Sequence, residues 1–201
     1  MDYSLILKNV AKRIHLTSEE QEVFTSMLKE KKIKRKGFYL KENEICPDSV
    51  FVLQGCLRSY TVDTEGFEHV LQFAPPDWWI ADMYSLISQK PGILNIDALE
   101  DSVVLLLSRK NQEQLFIQVP GFERFFRILT EKSLVANRQR VLDSLSLTAQ
   151  EKFELFCQHY PTLIDRLPQK QIASYIGVTP EFLSKIKAAY FKAAETTYKD
   201  K

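Results

Sequence analysis

After Pro120 the chain carries one long stretch, GFERFFRILTEKSLVANRQRVLDSLSL, with no glycine or proline beyond Gly121. It runs nearly thirty residues without either of the two residues that most disfavour a helix interior, so a single long helix is expected. Ile128, Val135 and Leu142 recur seven apart, with Phe125, Leu129, Leu134, Val141 and Leu145 beside them. That apolar stripe is wider than one neighbouring domain requires. One side is expected to pack on the preceding domain and the other on a partner helix, with Ile128, Val135 and Leu142 at the dimer interface. A single buried helix is the alternative. The stretch divides the chain into residues 1–118, 119–147 and 148–201.

Ahead of it the apolar period changes twice. Leu5, Ile6, Val10 and Ile14 repeat at helical spacing, and Thr17-Ser18-Glu19-Glu20 reads as the start of a second helix carrying Phe24, Met27 and Leu28. From Ile33 the pattern becomes that of strands. IKRKGFYL turns at Lys36-Gly37, SVFVLQGCLRSYTV breaks at Gln54-Gly55, and Asp63-Thr64-Glu65-Gly66 is a hairpin loop before FEHVLQFA. Trp78 to Ser88 reads as a short helix, and ILNIDALE and SVVLLLS as the last strands. Many short strands broken by glycine and proline indicate an antiparallel roll or barrel.

Behind the long helix, Thr148-Ala149-Gln150-Glu151 caps a further helix with Phe153, Leu155 and Phe156 inward, ended by Tyr160-Pro161. The stretch LPQKQIASYIGVTPEFLSKI, Leu167 to Ile186, then has the form of a helix-turn-helix that docks on DNA. Pro168 suits the first position of a helix, and Ile172, Ala173 and Ile176 give one apolar face. Gly177 ends that helix in a turn that needs positive φ. Thr179 caps the next helix, Pro180 follows at its first position, and Glu181 lies near the positive end of its dipole. Phe182, Leu183 and Ile186 are assigned to its inner face, leaving Thr179, Glu181, Ser184, Lys185 and Lys187 outward. An ordinary helical hairpin is the alternative on these residues alone.

Composition adds bounds. The net charge of +1 announces no global affinity for nucleic acid, so any DNA contact must come from a local patch. Cys46, Cys56 and Cys157 show no CxxC spacing, which argues against a disulfide framework and against zinc or iron–sulfur sites and for reduced thiols in a cytoplasmic protein. No apolar run reaches the roughly 20 residues of a membrane helix.

A β-roll, a long helix and a C-terminal helix-turn-helix, in that order, resemble the Crp/Fnr family of bacterial transcription regulators over nearly the whole chain. The roll carries the resemblance in Val50-Phe-Val-Leu-Gln-Gly-Cys-Leu-Arg58 and Ala98-Leu-Glu-Asp101, and the C-terminus carries it from Pro168 to Ile186, most like the regulators of Bacteroidetes-type bacteria. The resemblance implies an α+β fold: an N-terminal antiparallel β-roll of the cyclic-nucleotide-binding kind, a dimerisation helix and a helix-turn-helix. It further implies a non-enzymatic homodimer on a two-fold symmetric DNA site. The expected partners are double-stranded DNA, a second copy of the chain, RNA polymerase and a small-molecule effector of unstated identity. Glu181 aligns with an acid that accepts from cytosine N4, and Lys185 with an arginine that reads guanine. Ser184 reaches a base or a phosphate. Gln169, Lys170 and Thr179 are placed at phosphate, and Lys187 on the same face.

Two departures matter. Cyclic-AMP-binding members open the short helix with Gly-Glu and start the next strand with Arg. Here Ile80-Ala81-Asp82-Met83 and Gly92-Ile93-Leu94 stand at those places, and Lys90 is the only cation between Trp78 and Ser108. A buried phosphate needs fixed donors, so cyclic nucleotides are expected to bind weakly or not at all. No cofactor is otherwise implied. Trp79, Asp82, Met83 and Tyr84, with Trp78, are candidates for the wall of an apolar effector pocket, or else filled core. The second departure is the tail. After the recognition helix, Lys187-Ala-Ala-Tyr-Phe-Lys-Ala-Ala-Glu195 reads as continued helix fraying at Thr196-Thr197, where a β-hairpin wing is frequent.

Two other readings compete. A cupin-like metal oxygenase needs clustered ligands, but His15, His69 and His159 fall in separate segments. A cyclic-nucleotide-type sensory module acting on a protein partner without DNA fits the near-neutral charge and the missing wing.

Overall fold

The computed structural model describes residues 2–199, with side chains from 2 to 192. Its elements are α1 (Ser4–Ala11), α2 (Ser18–Ser26), β1 (Lys29–Ile33), β2 (Phe38–Leu40), β3 (Asp48–Gln54), β4 (Leu57–Val62), β5 (Glu68–Ala74), β6 (Trp79–Ile80), α3 (Met83–Ser88), β7 (Asn95–Ala98) and β8 (Ser102–Ser108), followed by α4 (Arg109–Gln118), α5 (Gly121–Ser146), α6 (Ala149–His159), α7 (Gln169–Ile176) and α8 (Pro180–Lys199). Two four-stranded sheets form, in the orders β1-β8-β3-β6 and β2-β7-β4-β5, and the assigned pairings are antiparallel. The strands thus make a roll of two separate sheets, with no closed barrel among the described residues.

Two compact units are present. One comprises residues 1–61 and 71–133, and the other residues 62–70 and 134–201. In the first, Val50, Val52, Val104 and Leu106 of one sheet meet Leu57, Ile96 and Ala98 of the other in one buried cluster. The opposite face of the first sheet presents Phe51, Leu105 and Leu107 to α1, α2, α4 and the start of α5, where Phe122 and Phe125 are fully buried. Gly55 sits between β3 and β4 at φ +87°, and a Cβ there would lie 2.2 Å from Ser102 Oγ. Only glycine fits both the turn and that approach.

Local structure departs from the sequence reading in several places: α2 stops before Met27 and Leu28, α4 is an additional helix, and Leu155, read as inward, is 40% exposed on α6. β1 begins at Lys29, ahead of the expected Ile33, because an edge strand tolerates a lysine-rich segment that carries no apolar alternation. Trp78 to Ser88 is not one helix: Trp79 and Ile80 pair with Phe51 and Val50, and α3 starts only at Met83. Asp82 makes that boundary by accepting the Ser85 N–H at 3.0 Å. Pro168 is the cap residue of α7 (ψ 139°) rather than its first helical position. Finally, α8 is helical through residues 196 and 197 to Lys199, with no strand after it among the described residues.

Arg58 and Asp97 face one another across β4 and β7. Arg58 Nε and Nη2 donate to the two carboxylate oxygens at 2.8 and 2.9 Å, and the guanidinium lies 3.9 Å from the Tyr60 ring centroid. Strand alternation puts the pair on the face of its sheet opposite Leu57, Ile96 and Ala98. Both side chains are buried. No sequence signal marks this pair, because its partners lie 39 residues apart and meet only through the pairing of β4 with β7.

Candidate nucleic-acid interface

The helix-turn-helix is built on aromatic packing within the second unit. Phe153 and Phe156 of α6 are buried, and Phe153 meets Tyr190 of α8 edge to face at 5.5 Å. Phe156 packs on Tyr160 and Tyr175 at 5.5 and 5.7 Å. Thr148 and Glu151 form the expected capping box at the start of α6, and those bonds hold the Glu151 carboxyl below its ordinary pKa. Ile172, Ala173 and Ile176 of α7 and Leu183 and Ile186 of α8 form the shared inner face.

The turn between the two helices follows from three residues. Gly177 adopts φ 82°, and its N–H and that of Val178 both reach Ala173 O, at 2.9 and 3.0 Å. Thr179 Oγ1 then accepts the Phe182 N–H at 3.3 Å, which opens α8. These contacts close the end of one helix and start the next within three residues, so the exit angle of α8 is fixed by backbone geometry.

Glu181 and Lys185 are exposed, one turn apart on α8. Ser184 is exposed between them, with its hydroxyl 2.7 Å from Gln169 Oε1 and 3.0 Å from Pro180 O. Gln169, Lys170 and Thr179 are exposed at the N-terminal ends of the two helices. Six of the seven candidate residues are thus exposed on α7, α8 and the turn between them, and among them the structure brings Ser184 against Gln169. Lys187 is the exception. Its Nζ lies 3.5 Å from Ile164 O and 3.6 Å from Asp165 Oδ1, and its side chain is largely buried, so it closes the loop before α7 instead of pointing outward. Phe182 corrects the sequence reading in the other direction. The apolar period assigns it to the inner face, but it is 49% exposed, because at one residue before Leu183 it falls at the margin of the apolar arc.

A second set of contacts anchors α7. Ser174 Oγ accepts the Val70 N–H at 3.0 Å and donates to Glu68 O, occupying the edge of β5 as a strand residue would. Arg140 of α5 donates from Nη2 to Val70 O at 2.8 Å and to Tyr175 O at 3.1 Å, with its guanidinium 4.1 Å from the Tyr175 ring centroid. Sequence reasoning missed all of these, since nothing local distinguishes Ser174 from a solvated serine.

The remaining candidates lie elsewhere. On α5, Val135 and Leu142 are exposed together with Leu134, Val141 and Leu145, whereas Ile128 is half-buried. Trp79 is turned into an aromatic cluster, 5.2 Å from Phe51 and 5.6 Å from Phe126, with its indole N–H on Asn9. Asp82 is buried, whereas Met83 and Tyr84 are exposed on α3, so these four residues do not line one cavity. A Cβ on Gly92 would lie 2.0 Å from Asp82 Oδ2, so the residue at the place of the missing Arg is packed against the carboxylate. His69 bonds Asp63 at 2.7 Å in the hairpin loop, which holds the Asp63 carboxyl below its usual range. No metal-binding group of His, Cys, Asp and Glu occurs among the described residues, and no described helix is long and apolar enough to cross a membrane.

No family model matches the chain. It is 23% identical over 195 residues to the transcriptional regulatory protein btr of Bordetella pertussis, covering 91% of this chain and 80% of that one. Among solved structures it is similar to FixK2 of Bradyrhizobium japonicum, with a TM-score of 0.72, 20% identity, and 83% and 86% of the two chains covered. It also superposes on the c-di-GMP-responsive global regulator CLP of Xanthomonas campestris, with a TM-score of 0.67, 12% identity, and 89% and 93% covered. A putative regulator described as crp/fnr family, from Eubacterium rectale, gives a TM-score of 0.66 at 13% identity over 89% and 85%. Over more than four fifths of its length the chain has the fold of the Crp/Fnr regulators.

Proposed function

We propose that the chain is a DNA-binding transcription regulator of the Crp/Fnr type, working in the cytoplasm as a homodimer on a two-fold symmetric site. The observation that carries this reading is the pairing of Glu181 and Lys185, exposed one turn apart at the start of a helix whose exit is fixed by Gly177 and Thr179. Helices of this kind enter the major groove with the N-terminal turn leading. Glu181 accepts from cytosine N4, and Lys185 donates to guanine with less discrimination than an arginine fork gives. Gln169, Lys170 and Thr179 hold phosphate at the helix ends, and Ser184 serves a base or a phosphate. Lys187 is left out of this set, because it is committed to the loop at 164–165.

The exposed apolar residues of α5 support the homodimer, with Val135 and Leu142 at the seam. RNA polymerase is the downstream partner of such a regulator, and the absence of fixed cations around Asp82 in the sequence speaks against a cyclic nucleotide as its signal. The test is selection of bound duplexes from random DNA by the full-length protein. Enriched sequences should contain inverted half-sites centred about one helical turn, roughly 34 Å, apart. Failure to enrich any sequence, with mobility unchanged on all duplexes, would return the chain to the reading of a sensory module that acts on a protein partner.

A further inference from the structure

Phe182 is a large aromatic side chain left 49% exposed in the first turn of α8, where the neighbouring apolar residues Leu183 and Ile186 are 0% and 7% exposed. At about 100° per residue, its direction lies roughly 60° from that of Lys185 and about 100° from that of Glu181. It therefore borders the outward sector on the side opposite Ser184. Its own N–H is held by Thr179 Oγ1, so its backbone is fixed at the helix start. On a surface that closes on DNA, a phenyl ring beside a carboxylate and an ammonium gains free energy by burial against an apolar group. In the major groove the edges of the base pairs present polar atoms, with one apolar exception, the C5-methyl group of thymine.

We propose that Phe182 is a specificity residue that packs on the 5-methyl group of one thymine in each half-site, beside the base pairs read by Glu181 and Lys185. This inference rests on the DNA-binding reading given above. It adds a requirement for T at one position, on one strand, where neither polar side chain supplies one. The contact is apolar, so its strength is independent of salt, unlike the phosphate contacts of Lys170.

The test uses full-length protein and a duplex taken from the random-DNA selection. Each thymine in turn is replaced by uracil, which removes only the methyl group. Wild-type protein should lose about four-fold in affinity per half-site at one symmetric thymine position and be indifferent at the others. Phe182→Ala should bind the parent duplex more weakly and show no uracil penalty at that position, and Phe182→Leu should keep part of it. The uracil series on wild-type protein stands alone if the alanine variant is poorly behaved. Equal affinity for every uracil duplex overturns the role of Phe182 while leaving DNA binding intact. A protein that selects no duplex removes both readings, so the two failures are distinct.

Discussion

Val135, Leu142 and Leu145 are 68%, 50% and 81% exposed on the second half of α5, an unusual density of uncovered aliphatic surface on one stripe of a helix. Full burial of a valine or leucine side chain stabilises by about 1.5–3 kcal/mol, so covering the exposed parts of these three contributes about 1–2 kcal/mol each. Two-fold symmetry counts every contribution twice. Replacing all three by alanine removes on the order of 6 kcal/mol even at the lower figure, which weakens a dimer about 10⁴-fold. The substitutions lie on exposed positions, so the fold of the single chain should hold to within about 0.5 kcal/mol each. Sedimentation velocity over a concentration series reads the result directly. Wild type should run as a dimer at micromolar concentration and the triple variant as a monomer, with matching circular dichroism. A wild type that stays monomeric at tens of micromolar, or a variant that sediments as the same dimer, refutes the assignment of this stripe to self-association.

Four further outcomes are expected. Asp97→Ala should cost about 3–5 kcal/mol in urea unfolding, because it strands the buried Arg58 guanidinium, and a paired Arg58→Met, Asp97→Leu variant should recover most of that loss. Lys185→Ala should cost about 1–3 kcal/mol on the preferred DNA site only, whereas Lys170→Ala should weaken all sequences alike and lower the salt slope by about one unit. Calorimetric titration with cyclic AMP and cyclic GMP should show no micromolar binding, the stretch from Trp78 to Ser108 having Lys90 as its one cation. Burial, with a smaller contribution from Arg140, lowers the His159 pKa from its ordinary 6.5. The unfolded chain then binds the proton more readily than the folded one, so stability falls as pH drops through the unfolded value near 6.5, and His159→Gln should flatten that part of the unfolding profile.

The legible parts of this chain were those whose cause is local. Gly177 and Thr179 are a left-handed cap and an N-cap whose chemistry is written in single residues, and both stand where expected. Thr17 with Glu20 and Thr148 with Glu151 are capping boxes readable from a spacing of three. The illegible parts depend on tertiary register. Arg58 meets Asp97 only because β4 and β7 pair in one particular alignment. Lys187 turns in toward Ile164 O and Asp165, and its place one turn after the buried Leu183, about 40° from it, already set it beside the inner face rather than outward. Phe182 fell on the wrong side because a residue at the edge of an apolar arc is assigned by period alone to either face. β1 ends at Ile33, where the sequence pattern only begins to read as strand, because its lysines carry no burial pattern and an edge strand needs none.

Ser174 and Arg140 finish the edge of a strand that was synthesised some seventy to a hundred residues before them. The unit containing the helix-turn-helix is accordingly discontinuous in sequence, and residues 62–70 belong to it as much as α7 does. A fragment cut at residue 134 would emerge with a serine hydroxyl and a guanidinium stripped of their hairpin acceptors. On the ribosome the same hairpin must wait, unpaired at that edge, until α7 has been made. Anyone isolating the helix-turn-helix unit should carry the hairpin along, joined by a short linker, rather than trim the chain at the helix.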